Sequence, residues 1–414
     1  MSQRTIQKSV WFLLLSLTAS ALNFLYYPVV ARLLSIQQFG DLQLGVALIM
    51  QTAALFTALN IIALYLSAQK NKISRTVLHS MERFIVTTSL IISVLLSLFA
   101  PAVAALFGLS DVSVLYLLAV IFICNIPATT WIGVLQGDGQ FLSAGIIAVI
   151  SATTKIIAAV LLVIAGLNVF GALLGILIGQ LIVLPLVLLA HKGEKLKISH
   201  SLNIVRVPDL VAIKKYSSYF KILLSLAVLA MIGTLDVVVA KAVLAPAVAG
   251  YFAQASTLAK IPYYAAIPLT LVLFQQLLTK RSAQIRERTL LSGTLAVLLV
   301  IPVLMFIAAP VGYAVLFSGN IPHAIQVTTS LLSAGFIAYI FLTLSLYRML
   351  AERKMKSFFA TSIVVGSLGV LFVIVSGIVN TPSPEFISLL FSSLMLFLLI
   401  SSVIIYQYAE RNHE

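Results

Sequence analysis

Apolar residues fill this chain in long runs, and polar residues collect in short intervals between them. Twelve runs stand out, near residues 10–32, 43–66, 84–107, 113–135, 144–166, 168–190, 222–244, 250–278, 290–317, 323–349, 357–379 and 385–408. About 20 apolar residues suffice for a helix to cross a hydrocarbon layer about 30 Å thick. Backbone amides in lipid must be satisfied within their own segment, and the period-two alternation of barrel strands is absent, so each run predicts a helix. Arg4 and Lys8 precede the first run. It is too long for a signal peptide and lacks a small-residue cleavage pattern, so it reads as a retained first helix.

The longest polar interval, residues 191–221, has six runs before it and six after. It reads as a linker between an N-terminal lobe at 1–205 and a C-terminal lobe at 206–414. A repeat supports the division: LLSLTASALNFLYYPVVARLL from Leu14 aligns without gaps on LLSLAVLAMIGTLDVVVAKAV from Leu223. Arg32 then falls on Lys241 and, after one inserted residue, Gly40 falls on Gly250. Six spans separate the two copies, so the repeat is parallel. Two parallel six-helix halves form a transporter architecture, with substrate sites at the interface of the repeats. The expected fold class is all-α and integral to the membrane, with about 12 transmembrane helices in two lobes.

Composition agrees, since 61% of residues are hydrophobic and only 9% are charged. The net charge of +14 would fit a nucleic-acid partner if the charges were spread over a surface. They are not: with the N-terminus inside, 22 of the 26 basic residues fall in cytoplasmic segments. That bias follows the positive-inside rule and places both termini in the cytoplasm. It is explained by topology and by attraction to anionic membrane lipids, so no nucleic acid is expected.

A lone Cys124 leaves no intramolecular disulfide or thiolate cluster, and His79, His191, His200, His323 and His413 lack ligand spacing. No Walker-type glycine loop is present, so neither a metal nor a cofactor is expected.

The remaining charges carry the functional question, because a charge within hydrocarbon costs about 2.5–3.5 kcal/mol on insertion scales. Lys155 lies about 11 residues into the fifth run and Lys260 about 10 into the eighth, roughly 15 Å deep at about 1.5 Å per residue. Both are candidate cavity-lining cations. Arg32 and Lys241 sit at outer helix ends, where snorkelling to the interface competes with substrate binding. Asp236 is placed to neutralise a lysine or to bind a coupling proton or cation. It is a poor partner for Lys241, which lies five residues on and about 140° around the helix. Pro262 and Pro268, in the same run as Lys260, predict a bend or broken turn there. Tyr26, Tyr27, Tyr263 and Tyr264 fit interfacial or cavity roles, and Trp11 and Trp131 fit interfacial anchors.

At these residues the chain resembles the polysaccharide flippases of the multidrug/oligosaccharidyl-lipid/polysaccharide exporter superfamily. The matching stretches are ARLLSIQQFGDLQL after the first run, VLQGDGQF after the fourth, and DVVVAKAVLAPAVAGYFAQASTLAKI across the seventh and eighth. The resemblance implies a V-shaped, twelve-helix transporter of the bacterial inner membrane. It would flip an undecaprenyl-pyrophosphate-linked oligosaccharide, such as an O-antigen repeat unit of lipopolysaccharide, to the outer leaflet by alternating access through a cationic central cavity. By that analogy Arg32, Lys155, Lys241 and Lys260 would bind the anionic lipid-linked substrate; Asp236, read from its depth alone, is the candidate ion-coupling residue, and polysaccharide polymerase machinery is a candidate partner.

A drug or cation antiporter of the same superfamily is the main alternative, but it should have intramembrane carboxylates in excess over basic residues. An enzyme acting on lipid-linked glycans would need a large outer loop or paired carboxylates. The outer connections are short, and Asp41, Asp111 and Glu385 read as isolated acids. No catalytic residue is therefore assigned.

Overall fold

The computed structural model describes residues 3–68, 72–124, 132, 135, 140–190, 217–278, 287–317, 322–379 and 382–411. All twelve predicted runs carry helix, and no strand occurs among the described residues. The helices of the first half are α1 (Gln3–Ala31), α2 (Ile36–Ala68), α3 (Lys72–Leu98), α4 (Ala100–Phe107), α5 (Ser113–Cys124), α6 (Phe141–Leu162), α7 (Asn168–Leu181) and α8 (Val183–Ala190). Those of the second half are α9 (Ser217–Ile232), α10 (Leu235–Val243), α11 (Pro246–Ala259), α12 (Ile261–Leu278), α13 (Glu287–Phe317), α14 (His323–Ala351), α15 (Met355–Ile378) and α16 (Pro384–Arg411).

The extra helices arise where single runs break. Among the described residues, seven helical stretches are long and apolar enough to cross a membrane unaided, and two bent pairs raise the number to nine. The bent pairs are α3 with α4, at 73°, and α9 with α10, at 51°. One of the seven stretches is 49 residues long, and it is two predicted spans. A π turn at Val163–Leu167 divides it, with Gly166 at φ 91°, a left-handed conformation that costs glycine little. The run at 250–278 breaks at Lys260, as Pro262 predicts: the second residue of α12, it has no N–H to give to the Leu258 carbonyl, whereas α12 continues through Pro268.

Two compact units result. The first comprises Met1–Tyr26 and Gly45–Met231, the second Tyr27–Leu44 and Ile232–Glu414. The expected boundary at 205/206 lies in residues 191–216, outside the described residues, as do Trp131 and the turn around Asp138. In the compact division α1 is shared, and its C-terminal end packs with the start of α2 in the second unit.

In the first unit, α7 presents Gly171, Gly175 and Gly179 to α6 at four-residue spacing. A Cβ on Gly175 would stand 2.6 Å from the Ala159 backbone nitrogen, and one on Gly179 2.7 Å from the Lys155 Cβ. Small residues at this spacing let two membrane helices approach backbone to backbone. The Ser151 hydroxyl donates to the Gly179 carbonyl at 2.6 Å across the same seam.

In the second unit, Phe336 on α14, Phe391 on α16 and Phe372 on α15 form the core, with ring centroids 5.3 and 6.0 Å apart. Pro310 removes the hydrogen bond that the Phe306 carbonyl would receive within α13. Gln326 on α14 replaces it, donating from Nε2 at 2.8 Å.

Candidate functional site

The five charged residues singled out by sequence occupy three different electrostatic settings. In the first unit, Lys155 is half-buried on α6. Its ammonium donates to Asn23 Oδ1 on α1 at 2.6 Å and lies 4.6 Å from the centre of the Tyr26 ring. Asn23 and Tyr26 are three residues apart, so they share one face of α1. The Tyr26 hydroxyl donates to the Ala172 carbonyl of α7 at 2.9 Å, which fixes the ring. The absent side chain of Gly179 leaves room for the lysine stem. No carboxylate lies within ion-pair distance of Lys155 among the described residues.

In the second unit, Asp236 is fully buried on α10. It accepts from the Ser256 hydroxyl at 2.5 Å and pairs with Lys260 Nζ at 3.4 Å. The lysine partner expected for Asp236 is thus present, and it comes from the break between α11 and α12. The Lys260 ammonium also lies 4.8 Å from the centre of the Phe336 ring. Around it, Tyr263 stands 5.7 Å from Tyr264 and 5.6 Å from Tyr339, and the Tyr264 and Tyr27 hydroxyls are 3.4 Å apart.

Lys241 is buried at the end of α10 and pairs with Asp41 at 2.6 Å, both side chains being 2% exposed. The contact is an ion pair without hydrogen-bond alignment at Lys241 Nζ. Asp41 is therefore not an isolated acid: its counterion comes from the other half of the sequence. Arg32, by contrast, is exposed and donates to the Val315 and Leu316 carbonyls at the end of α13. Those carbonyls lie in the last turn of α13, and a cation is favourable at the negative end of a helix dipole.

One helix organises the second unit's polar contacts. From α11, Ser256 reaches Asp236 on α10, Thr257 accepts from Gln43 on α2 at 3.0 Å, and Gln254 accepts from the Tyr313 hydroxyl on α13 at 2.5 Å. Buried polar groups in an apolar surrounding are costly unless hydrogen-bonded, and here each finds a partner on a different helix.

Sequence reasoning missed Asn23, Ser256, Gln43 and the role of Asp41. Asn23 could have been found as the only amide in the first apolar run. Asp41, Gln43 and Ser256 depend on long-range pairings for which no local pattern exists. Asp111 lies just ahead of α5 and accepts from the Ser113 backbone N–H at 2.8 Å, and Glu385 lies in the first turn of α16.

Residues 5–275 match the family model for polysaccharide biosynthesis proteins. Solved structures share the fold. The inward-facing conformation of a multidrug resistance MATE family transporter of the MOP superfamily is 12% identical, with a TM-score of 0.68 over 98% of each chain. The lipid II flippase MurJ, in an inward closed conformation, is 15% identical, with a TM-score of 0.66 over 96% of this chain and 87% of that one. A MOP superfamily transporter from Pyrococcus furiosus with reverse polarity of its binding pocket is 12% identical, with a TM-score of 0.57 over 99% and 96%. At such identities the likeness is one of fold. No curated protein matches the chain in sequence.

Proposed function

The chain belongs to the polysaccharide biosynthesis protein family, and from that premise we propose that it flips an undecaprenyl-pyrophosphate-linked oligosaccharide, an O-antigen or related repeat unit, from the inner to the outer leaflet. It does so by alternating access in a bacterial inner membrane, with both termini cytoplasmic, and delivers its product to the polymerase machinery. The fold it shares with MOP superfamily transporters supports a transport role over an enzymatic one.

The observation that carries the anionic substrate is Lys155. There an ammonium is held by an amide oxygen and a ring face, with no carboxylate within ion-pair distance among the described residues. Basic side chains replace part of the hydration that a pyrophosphate loses on leaving water. Lys260 is the second substrate residue, and it must loosen its 3.4 Å contact with Asp236 to serve. Arg32 and Lys241 would join the path only in a state in which they leave the Val315 and Leu316 carbonyls and Asp41. A membrane potential negative inside drives the anion outward by about 2.3 kcal/mol per charge per 100 mV, which supports export without ATP.

The cation antiporter is less well supported. Asp236 and Asp41 are both buried, and each already faces a lysine. A drug cation would have to displace a tethered ammonium from either.

Surface glycan display tests the proposal. Lys155→Ala and Lys260→Ala should abolish display at unchanged protein level, and normal display in both variants contradicts it.

A further inference from the structure

Three lysines in this protein receive three treatments. Lys241 is buried against Asp41 at 2.6 Å, so its charge is cancelled on the spot. Lys260 has Asp236 at 3.4 Å, a carboxylate it shares with the Ser256 hydroxyl. Lys155 alone of the three is held by neutral groups among the described residues: the Asn23 amide oxygen at 2.6 Å and the face of Tyr26 at 4.6 Å. An amide dipole and a ring quadrupole both attract a cation without supplying negative charge. The ring is fixed in place, since Tyr26 is fully buried and tied to Ala172 on α7, and Gly179 lets α7 approach the Lys155 stem closely.

Sterically, an aspartate would serve at position 23 as well as an asparagine, since the two differ by one terminal atom. Electrostatically it would convert the site into another closed ion pair. We infer that Asn23 and Tyr26 are positioning residues that aim the Lys155 ammonium without neutralising it, so that its charge is available to a phosphate-bearing lipid headgroup. The inference rests on the anionic-substrate reading above and assigns that specificity to Asn23. A carboxylate there would act as a built-in competitor for every incoming phosphate, whereas a shorter neutral acceptor would only loosen the lysine.

The test uses the purified full-length protein and an undecorated polyprenyl pyrophosphate as probe. Asn23→Asp should weaken its binding by about tenfold or more while thermal stability equals or exceeds that of the wild type, because the variant gains an ion pair. Loss of function with unchanged or higher stability is not what a merely structural role would give. Asn23→Ser, neutral and still an acceptor, should stay within about threefold of the wild type. Wild-type affinity in Asn23→Asp, a loss in Asn23→Ser as deep as in Asn23→Asp, or no binding by the wild type would each overturn the inference. A wild type that binds the probe but moves no lipid between leaflets would contradict the transport reading alone.

Discussion

Gly40 and Gly250, which occupy equivalent places in the two halves of the sequence, meet backbone to backbone. A Cβ on Gly40 would stand 3.2 Å from both the Cα and the nitrogen of Gly250, and one on Gly250 would collide with the Ile36 carbonyl. Gly250→Val should therefore destabilise the protein by about 1–3 kcal/mol through overpacking against backbone that cannot yield. Gly312→Ala is the control: the nearest atom to its Cβ would be a Leu258 methyl at 3.7 Å, and its melting temperature should not fall.

One residue past Gly40, the Asp41–Lys241 pair excludes solvent from both charges. Asp41→Asn leaves the ammonium buried and uncompensated and should cost about 3–5 kcal/mol. Replacing both by apolar residues of similar volume, as Asp41→Leu with Lys241→Met, should recover most of that loss. Thermal unfolding of the single and double variants measures it, and equal damage in both would show that the pair does more than neutralise itself.

Far less of this site than of the fold was legible in the sequence. Twelve apolar runs predict the helices because lipid forces each segment to satisfy its own backbone. The break at Lys260 was legible because Pro262 lacks an N–H; that Asp236 could neutralise a lysine was legible too, but not that the lysine is Lys260. The pairing of Asp41 with Lys241 was not, since it joins separate halves of the chain. Nor was the neutral setting of Lys155: Asn23 stands out as the one amide of its run and Tyr26 as a candidate cavity residue, but that both meet Lys155 appears only when α1 is laid against α6 and α7. The stripe of Gly171, Gly175 and Gly179 was not singled out from the sequence, and that Gly179 makes room for a lysine stem follows only from the packing of α7 on α6.

The Phe306 carbonyl offers a purely structural check. Gln326→Leu removes the donor that substitutes for the N–H missing at Pro310. Losing this side-chain donor to the partly buried carbonyl should cost about 1 kcal/mol, so the variant should melt lower by a corresponding amount. An unchanged melting temperature would mean that the carbonyl finds another donor.

At the end of α14, Glu352 accepts from Arg348 Nε and the Tyr406 hydroxyl, each at 2.8 Å, and faces Lys354 Nζ at 3.4 Å. Burial works against its ionised form, but the hydrogen bonds from Arg348 and Tyr406 and the charges of Arg348 and Lys354 outweigh it. Its carboxyl is held below the ordinary value of 4.5. A depressed folded-state value means that the stabilisation is full above the ordinary carboxyl range and is lost as pH falls through the folded value. The wild type should therefore melt above Glu352→Gln near neutral pH, with the gap closing in acid. A gap independent of pH would contradict the ionic account.

Transfer of a labelled polyprenyl-pyrophosphate oligosaccharide between leaflets of vesicles holding the purified protein tests the central claim most directly. The wild type should move the lipid, Lys155→Ala should not, and Lys155→Arg should retain part of the rate. Transfer by Lys155→Ala at the wild-type rate would contradict the account.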